Sequence, residues 1–404
     1  MSRCRYIILF SVIVFLVFAP VKKNYLRCFA TESESSTETT AEGEQNTEKL
    51  LLEEVVAQLE SFDFSEIDEL IKTENNFNSK NFVELVLGLI SGEDEFGLDK
   101  VVSIGLELLK ENITLYLSLF ISIIAISFLS SIGGELSNKK SATVSGAVSM
   151  VFYAIVAILI CAIVSVVISE VVGKISLLSR FVEILFPILL TCLVSVGANS
   201  SVVLLQPSIL YVVSFLVVLV TKFLVPIIIV GFVLKIVGNL SDNFNLSKLN
   251  SFITSLFKWS IGLTFTIFIG ILSLKGLTAS SADNISIKTA KYAIRSYIPL
   301  IGGFLSDGFE VFRAGSVLIK NAIGVVAVLV LFVALIGTVV KILVLNLALK
   351  FTAGIVEPLG SSKISKFLSS VSGTFVQLVV VLMSIFFAVF VLILIVLSVG
   401  NAVV

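Results

Sequence analysis

The sequence predicts an all-α, polytopic α-helical membrane protein with about seven or eight spans, and three observations support this. The mean hydropathy is +1.08 and 57% of the residues are apolar, which exceeds what a water-soluble domain usually carries. The apolar residues form blocks of about 18 or more, the length of a helix that crosses about 30 Å of hydrocarbon. The alternating pattern of membrane strands, which need about ten residues each, is absent from the sequence.

Charge divides the chain into two regions. Residues 31–111 hold 21 of the 29 acidic residues and 5 basic ones, whereas residues 112–404 hold 8 acidic and 18 basic residues. We therefore predict an exported acidic segment over 31–111 and a helical membrane domain over 112–404.

The first 30 residues resemble a secretory signal peptide. Arg3 and Arg5 precede the apolar run Tyr6–Ala19, and Cys28 and Ala30 occupy the −3 and −1 positions of a cleavage after Ala30. The run is short for a membrane span, although an uncleaved anchor is the alternative. In either case we expect the segment that follows to lie outside the cell membrane.

The acidic segment has two parts. Residues 31–48 are rich in Glu, Ser and Thr and lack a core-forming pattern, so we predict that they are disordered. From Leu50 to Lys110 apolar residues return at helical spacing, as in Phe82, Leu85 and Val86, which predicts short amphipathic helices.

Membrane spans are predicted from the apolar blocks. The stretch 202–238 contains Pro207, Lys222 and Pro226 and is long for one span, so two spans with a turn near Thr221–Phe223 are preferred to a single kinked one. The other predicted spans are 112–132, 144–168, 181–199, 259–276, 321–345 and 375–400. With the N-terminal segment outside, most lysine-rich loops fall inside, but the loop 277–320 falls outside despite its basic residues.

The composition argues against an enzyme. Histidine is absent from the sequence, which removes the usual general base and the commonest metal ligand. Gly173-Lys174 lacks the preceding glycine of a phosphate-binding loop. Cys161 and Cys192 lie in apolar runs without CxxC spacing and are interpreted as packing residues. We expect no catalytic residues, no metal, no cofactor and no nucleic-acid partner.

Charged residues in or near spans are candidates for function because a charge in hydrocarbon is costly. These are Glu183, Lys222, Lys235 and Lys341. Snorkelling to the interface is preferred for Lys222 and Lys235. For Lys341, the deepest, snorkelling stands beside a role in lining a pore or pairing with another helix. Ser141, Ser145 and Ser149 recur every four residues, which favours close helix packing within the chain over an oligomer contact.

The region 277–320 is predicted to be amphipathic and to lie at the membrane interface. Lys288, Lys291 and Arg295 share one helical face, opposite an apolar face. Pro299 ends this helix, Gly302-Gly303 allows a tight turn, and a second amphipathic piece follows over about 307–320. Binding of another protein, or a position at a pore mouth, is the alternative to simple lipid contact.

The run from Phe265 to Val328 resembles the stage III sporulation protein AE family. The resemblance rests on Gly270–Ser273, Lys288–Lys291, Ile298-Pro299 and Leu318–Gly324, with Glu357–Gly360 before the last span. The order of signal, acidic segment and polytopic core also matches, and the resemblance covers essentially the whole chain. Residues 265–360 carry its specific part.

The resemblance implies a role in endospore formation. It implies a mother-cell membrane component of the channel, or feeding-tube, complex that joins the mother cell to the engulfed forespore and supports late forespore gene expression. The implied partners are the other stage III A-operon proteins and, through them, a forespore membrane protein, in a hetero-oligomer within the lipid bilayer. A stand-alone small-molecule permease is the alternative, since the Pro- and Gly-containing segments at 187–197, 226–238 and 299–308 hint at a repeat.

Overall fold

The computed structural model describes residues 56–73 (except 58 and 60), 81–91, 98–138, 142–240, 246–271 and 302–399. All of them fall in the unit Val55–Val404. The described elements are helical and include no strand, which confirms the all-α prediction. The helices are α1 (Ser65–Thr73), α2 (Phe82–Ile90), α3 (Leu98–Asn138), α4 (Ala142–Ser195), α5 (Asn199–Leu219), α6 (Val225–Leu240), α7 (Ser247–Ile271), α8 (Gly302–Val356) and α9 (Ser362–Ser398).

The long helices form an up-and-down bundle. We call one end of the bundle the turn end. It contains the end of α3, the start of α4, the end of α6, the start of α7 and the turn between α8 and α9. At this end Ser131 of α3 donates to the Leu359 carbonyl, and the Tyr153 hydroxyl of α4 donates to the Ile236 carbonyl of α6 at 2.7 Å. We call the opposite end, where α4 and α9 finish and α8 begins, the far end.

Among the described residues, six helices are long and apolar enough to cross a membrane, which is roughly the predicted number. The number of spans is lower than predicted because two pairs of predicted spans each form one continuous helical rod. The span 144–168 and most of 181–199 lie in α4, which has 54 residues and is therefore about 80 Å long. The polar residues between these two blocks lie on helical turns rather than in a loop.

The predicted turn near Thr221–Phe223 is wrong. The chain passes from α5 through a π-helical segment, Val220–Leu224, directly into α6. One extra residue per turn widens the helix without reversing it, so Pro226, at the second position of α6, is accommodated in a continuous rod. Each pair of predicted spans that is really one helix removes one crossing of the membrane. Because this happens twice, in α4 and in the α5–α6 rod, the helices that follow keep their predicted direction.

Glycines with positive φ make two tight turns within the described part of the chain. Gly197 (φ 85°) ends α4, where its N–H donates to the Val194 carbonyl and the Ala198 N–H donates to the Leu193 carbonyl. This is a Schellman ending, which needs a left-handed residue. Gly360 (φ 87°) makes the turn between α8 and α9, beside Ser131 of α3.

Replacing Gly360 with alanine is expected to destabilise the protein. A Cβ there would lie 3.4 Å from the Ser131 hydroxyl oxygen, and a left-handed conformation costs an alanine about 1–2 kcal/mol. The matched control is Gly354→Ala, in the last turns of α8, where a Cβ meets no atom within 4 Å. Thermal unfolding of the purified variants in detergent measures the difference, and equal melting temperatures for the two would contradict the assignment.

The short helices α1 and α2 pack on the bundle, α1 against α4 and α2 against α8. The Phe82 N–H donates to Asp68 Oδ1 at 2.6 Å and ties the start of α2 to α1. The Ser65 hydroxyl and N–H both donate to Asp63, and they hold the pKa of that carboxyl below its usual value. The predicted boundary between acidic segment and membrane domain, at residue 111, falls inside α3.

Candidate functional site

A polar cluster lies where α4 and α8 cross, and it involves Lys341. The Lys341 ammonium is 2.5 Å from Glu170 Oε2, and the Thr338 hydroxyl donates to Glu170 Oε1 at 2.9 Å. Thr338 and Lys341 are three residues apart and therefore share a face of α8. Tyr116 of α3 lies beside the ammonium. The side chains of Lys341 and Glu170 are 22% and 27% exposed, so the pair is partly enclosed by three helices.

Lys341 of α8 therefore forms an ion pair with Glu170 of α4, inside the bundle. Each oxygen of the Glu170 carboxylate accepts one hydrogen bond from α8. An ion pair on crossing helices also fixes their register, because sliding either helix by one turn would separate the charges by about 5 Å.

Glu170 was missed from the sequence. It falls between the predicted spans 144–168 and 181–199. The signal that could have found it is its spacing from Lys174, one turn later, which indicates a continuing helix across the gap.

Lys235 corrects a prediction. Snorkelling was preferred for it, but it is 7% exposed and donates to Thr374 of α9 at 2.8 Å. It lies on the same face of α6 as Gly231 and Gly238. A Cβ at Gly231 would meet Ile253 of α7, and a Cβ at Gly238 would meet Leu246, the residue before α7. Lys222, in the π-helical segment, is exposed.

Two more basic residues are buried at the far end, both on α8. Arg313 donates to the Val196 carbonyl at 3.2 Å, where α4 ends. The Lys320 ammonium donates to the Leu397 carbonyl at 2.9 Å and to the Val399 carbonyl at 2.5 Å, where α9 ends. Cations are favoured at helix C-termini, where carbonyls are left without intrahelical donors. These residues hold the ends of α4 and α9 against the start of α8.

The other predicted residues are placed as follows. Lys288, Lys291, Arg295 and Pro299 lie outside the described residues, as do the predicted signal peptide and residues 31–55. Gly302 and Gly303 are the first residues of α8 rather than a tight turn, and the piece over 307–320 is continuous with the long α8 rather than a separate interfacial helix. Ser145 donates to the Gly134 carbonyl of α3 at 3.0 Å, a contact within the chain.

Glu183 and the cysteines show local roles. Glu183 is exposed and accepts from Ser179 on its own helix. Cys161 and Cys192 are free thiols. Within the described part of the chain, no group of three or more His, Cys, Asp or Glu side chains could hold a metal ion.

Comparison with known proteins identifies the family. The family model described as Stage III sporulation protein AE matches residues 80–400. A protein named Stage III sporulation protein AE, from Bacillus subtilis (strain 168), is 24% identical over 262 residues, which are 65% of this chain and 66% of that relative. No solved structure matches the chain. The family match extends from the N-terminal edge of α2 to the end of α9, so the chain belongs to the Stage III sporulation protein AE family.

Proposed function

We propose that this protein is a membrane subunit of the channel, or feeding-tube, complex that joins the mother cell to the forespore and sustains late forespore gene expression. The observation that carries the proposal is the family match over residues 80–400, which takes in the whole described bundle. The family name supports a sporulation role, and the six apolar helices support a place in a membrane. Membership of the channel complex is the further step that we propose.

The proposed partners are the other stage III A-operon proteins and, through them, a forespore membrane protein. The bundle would sit in the mother-cell membrane around the forespore. Its long helices support a role as an assembled subunit, because α4 and α8, at about 80 Å, exceed the roughly 30 Å hydrocarbon thickness. The excess length provides surface beyond the lipid for other proteins to contact.

Basic residues support an orientation with the turn end inside the mother cell. The connection between α3 and α4 contains Lys139 and Lys140, and Lys248 lies in the first turn of α7. Lys350, Lys363 and Lys366 flank the turn between α8 and α9. Since basic residues next to spans are retained in the cytoplasm, the start of α3 and the N-terminal segment before it would lie outside. The basic connection from α7 to α8 remains the exception.

Accessibility of single cysteines tests this orientation. In a variant without the native cysteines, we expect Asn199→Cys at the far end to react with a membrane-impermeant maleimide in intact protoplasts. Ser362→Cys, at the turn end, should react only after the membrane is permeabilised. Both positions are exposed on the protein surface, so a difference in labelling reports the side of the membrane and not burial of the residue. The reverse pattern would contradict the proposed orientation.

Complex membership is tested by purifying the tagged protein from sporulating cells in mild detergent. We expect the other stage III A proteins to co-purify. The matched control is the same tag on an unrelated polytopic protein expressed at the same stage. Recovery of this protein alone, under conditions that keep other membrane complexes intact, would overturn the proposal. Transport of small molecules by the purified protein alone would then favour a stand-alone permease.

A further inference from the structure

Three basic side chains are buried inside the bundle. Lys235, Arg313 and Lys320 are 7%, 3% and 0% exposed, and no Asp or Glu is buried among the residues whose side-chain burial the structure describes. Arg313 and Lys320 face backbone carbonyls at helix ends, which carry partial negative charge. Lys235 lies in the body of a helix and has no such partner. Of these three cations, Lys235 therefore receives the least compensation from the described part of the chain.

The surroundings of Lys235 leave hydrogen-bond donors available. An ammonium group has three N–H donors, and within the described part of the chain the structure gives Lys235 one acceptor, Thr374 Oγ1 at 2.8 Å. Because that oxygen accepts from Lys235, the Thr374 hydroxyl hydrogen points elsewhere. Gly373 leaves room for at least a methyl group beside the ammonium, since a Cβ there would lie 3.8 Å from Nζ, an ordinary van der Waals distance. The Lys235 ammonium and the Thr374 hydroxyl are therefore neighbouring donors between α6 and α9.

We propose that Lys235 and Thr374 form a binding position for a small anion, a halide or a carboxylate, inside the membrane domain. The anion accepts hydrogen bonds from the Lys235 ammonium and the Thr374 hydroxyl. It supplies the negative charge that a buried lysine otherwise lacks, and this compensation is favourable because an unpaired charge in the interior is costly. The position is distinct from the Glu170–Lys341 cluster, where a carboxylate of the chain already compensates the cation.

Thermal unfolding of the purified full chain in detergent tests this position. At constant ionic strength, a bulky sulfonate is replaced stepwise by chloride or, separately, by acetate. A ligand that binds the folded state raises its stability in a saturable way, so we expect Tm to rise by about 2–4 °C. Because this experiment needs neither partner proteins nor transport, its result is independent of whether the protein belongs to the channel complex.

Three variants make the test specific. Lys235→Met should abolish the anion-dependent rise, whatever its effect on the starting Tm. Thr374→Val keeps the lysine and should shift the midpoint of the titration to several-fold higher anion concentration. Lys222→Met removes an exposed lysine of the same rod and should leave the response unchanged. The absence of a saturable rise with both anions in the unaltered protein, or a full rise in Lys235→Met, would overturn the proposal.

Discussion

Replacing Lys341 with methionine is expected to destabilise the bundle, because the Glu170 carboxylate would lose the ammonium group that it contacts. Removing one partner of a fully buried pair costs about 3–5 kcal/mol. Both side chains here are about a quarter exposed, and water screens what remains, so we expect about 1–3 kcal/mol, in the range of a hydrogen bond to a charged group. The measurement is the melting temperature of the purified variant in detergent.

A double-mutant cycle separates the pair from general effects of the substitutions. Glu170→Leu combined with Lys341→Met removes both charges, and we expect it to cost less than the sum of the two single changes by about 0.5–3 kcal/mol. Lys350→Met, an exposed lysine on the same helix, is the control and should have little effect. Strict additivity of the two substitutions would show that the contact contributes nothing to stability.

Replacing Gly324 with alanine is expected to force α8 and α9 apart at the far end. A Cβ at this position would lie 2.5 Å from one terminal carbon of Leu397 and 2.9 Å from its Cγ. The Cγ cannot move away by rotation of the side-chain end alone. The carbonyl of the same Leu397 accepts from Lys320, so a displacement of α9 also weakens that bond. Overpacking of this kind typically costs about 1–3 kcal/mol.

Gly315→Ala is the matched control for Gly324→Ala. Both glycines lie in α8, but a Cβ at Gly315 meets no atom within 4 Å. Alanine is favoured over glycine in a helix by about 1 kcal/mol, so Gly315→Ala should raise Tm or leave it unchanged while Gly324→Ala lowers it. Thermal unfolding of both in the same detergent decides. If the two substitutions shift Tm in the same direction, the close approach of α8 and α9 is contradicted.

The fold class could be predicted from the sequence because apolar block length and hydropathy depend on local composition. The continuity of α4 could not, because charged residues between two apolar blocks are equally compatible with a loop and with a helix that continues. The error at Thr221–Phe223 has a similar cause. Lys222 and Pro226 suggest a turn, whereas a π-helical segment accommodates them without one.

The site residues were harder to predict than the fold. Lys341 was singled out by its depth in an apolar run, but its partner Glu170 lies 171 positions earlier, and no local pattern links them. Lys235 was expected to snorkel because the sequence gives its position in the run and not the helix face that α9 covers. Which face is covered depends on the packing of distant helices, which a pattern of single residues does not encode.

The long separation between Glu170 and Lys341 has a consequence for synthesis of the protein. Ribosomes add about 5–20 residues per second, so Lys341 is made on the order of 10–30 s after Glu170. Lys235 likewise precedes Thr374 by 139 residues. During that interval the nascent α3–α4 hairpin and the α5–α6 rod enter the bilayer with these side chains unmatched. The last two helices therefore complete the fold of those inserted before them, and a chain that stops before α8 leaves Glu170 without its cation.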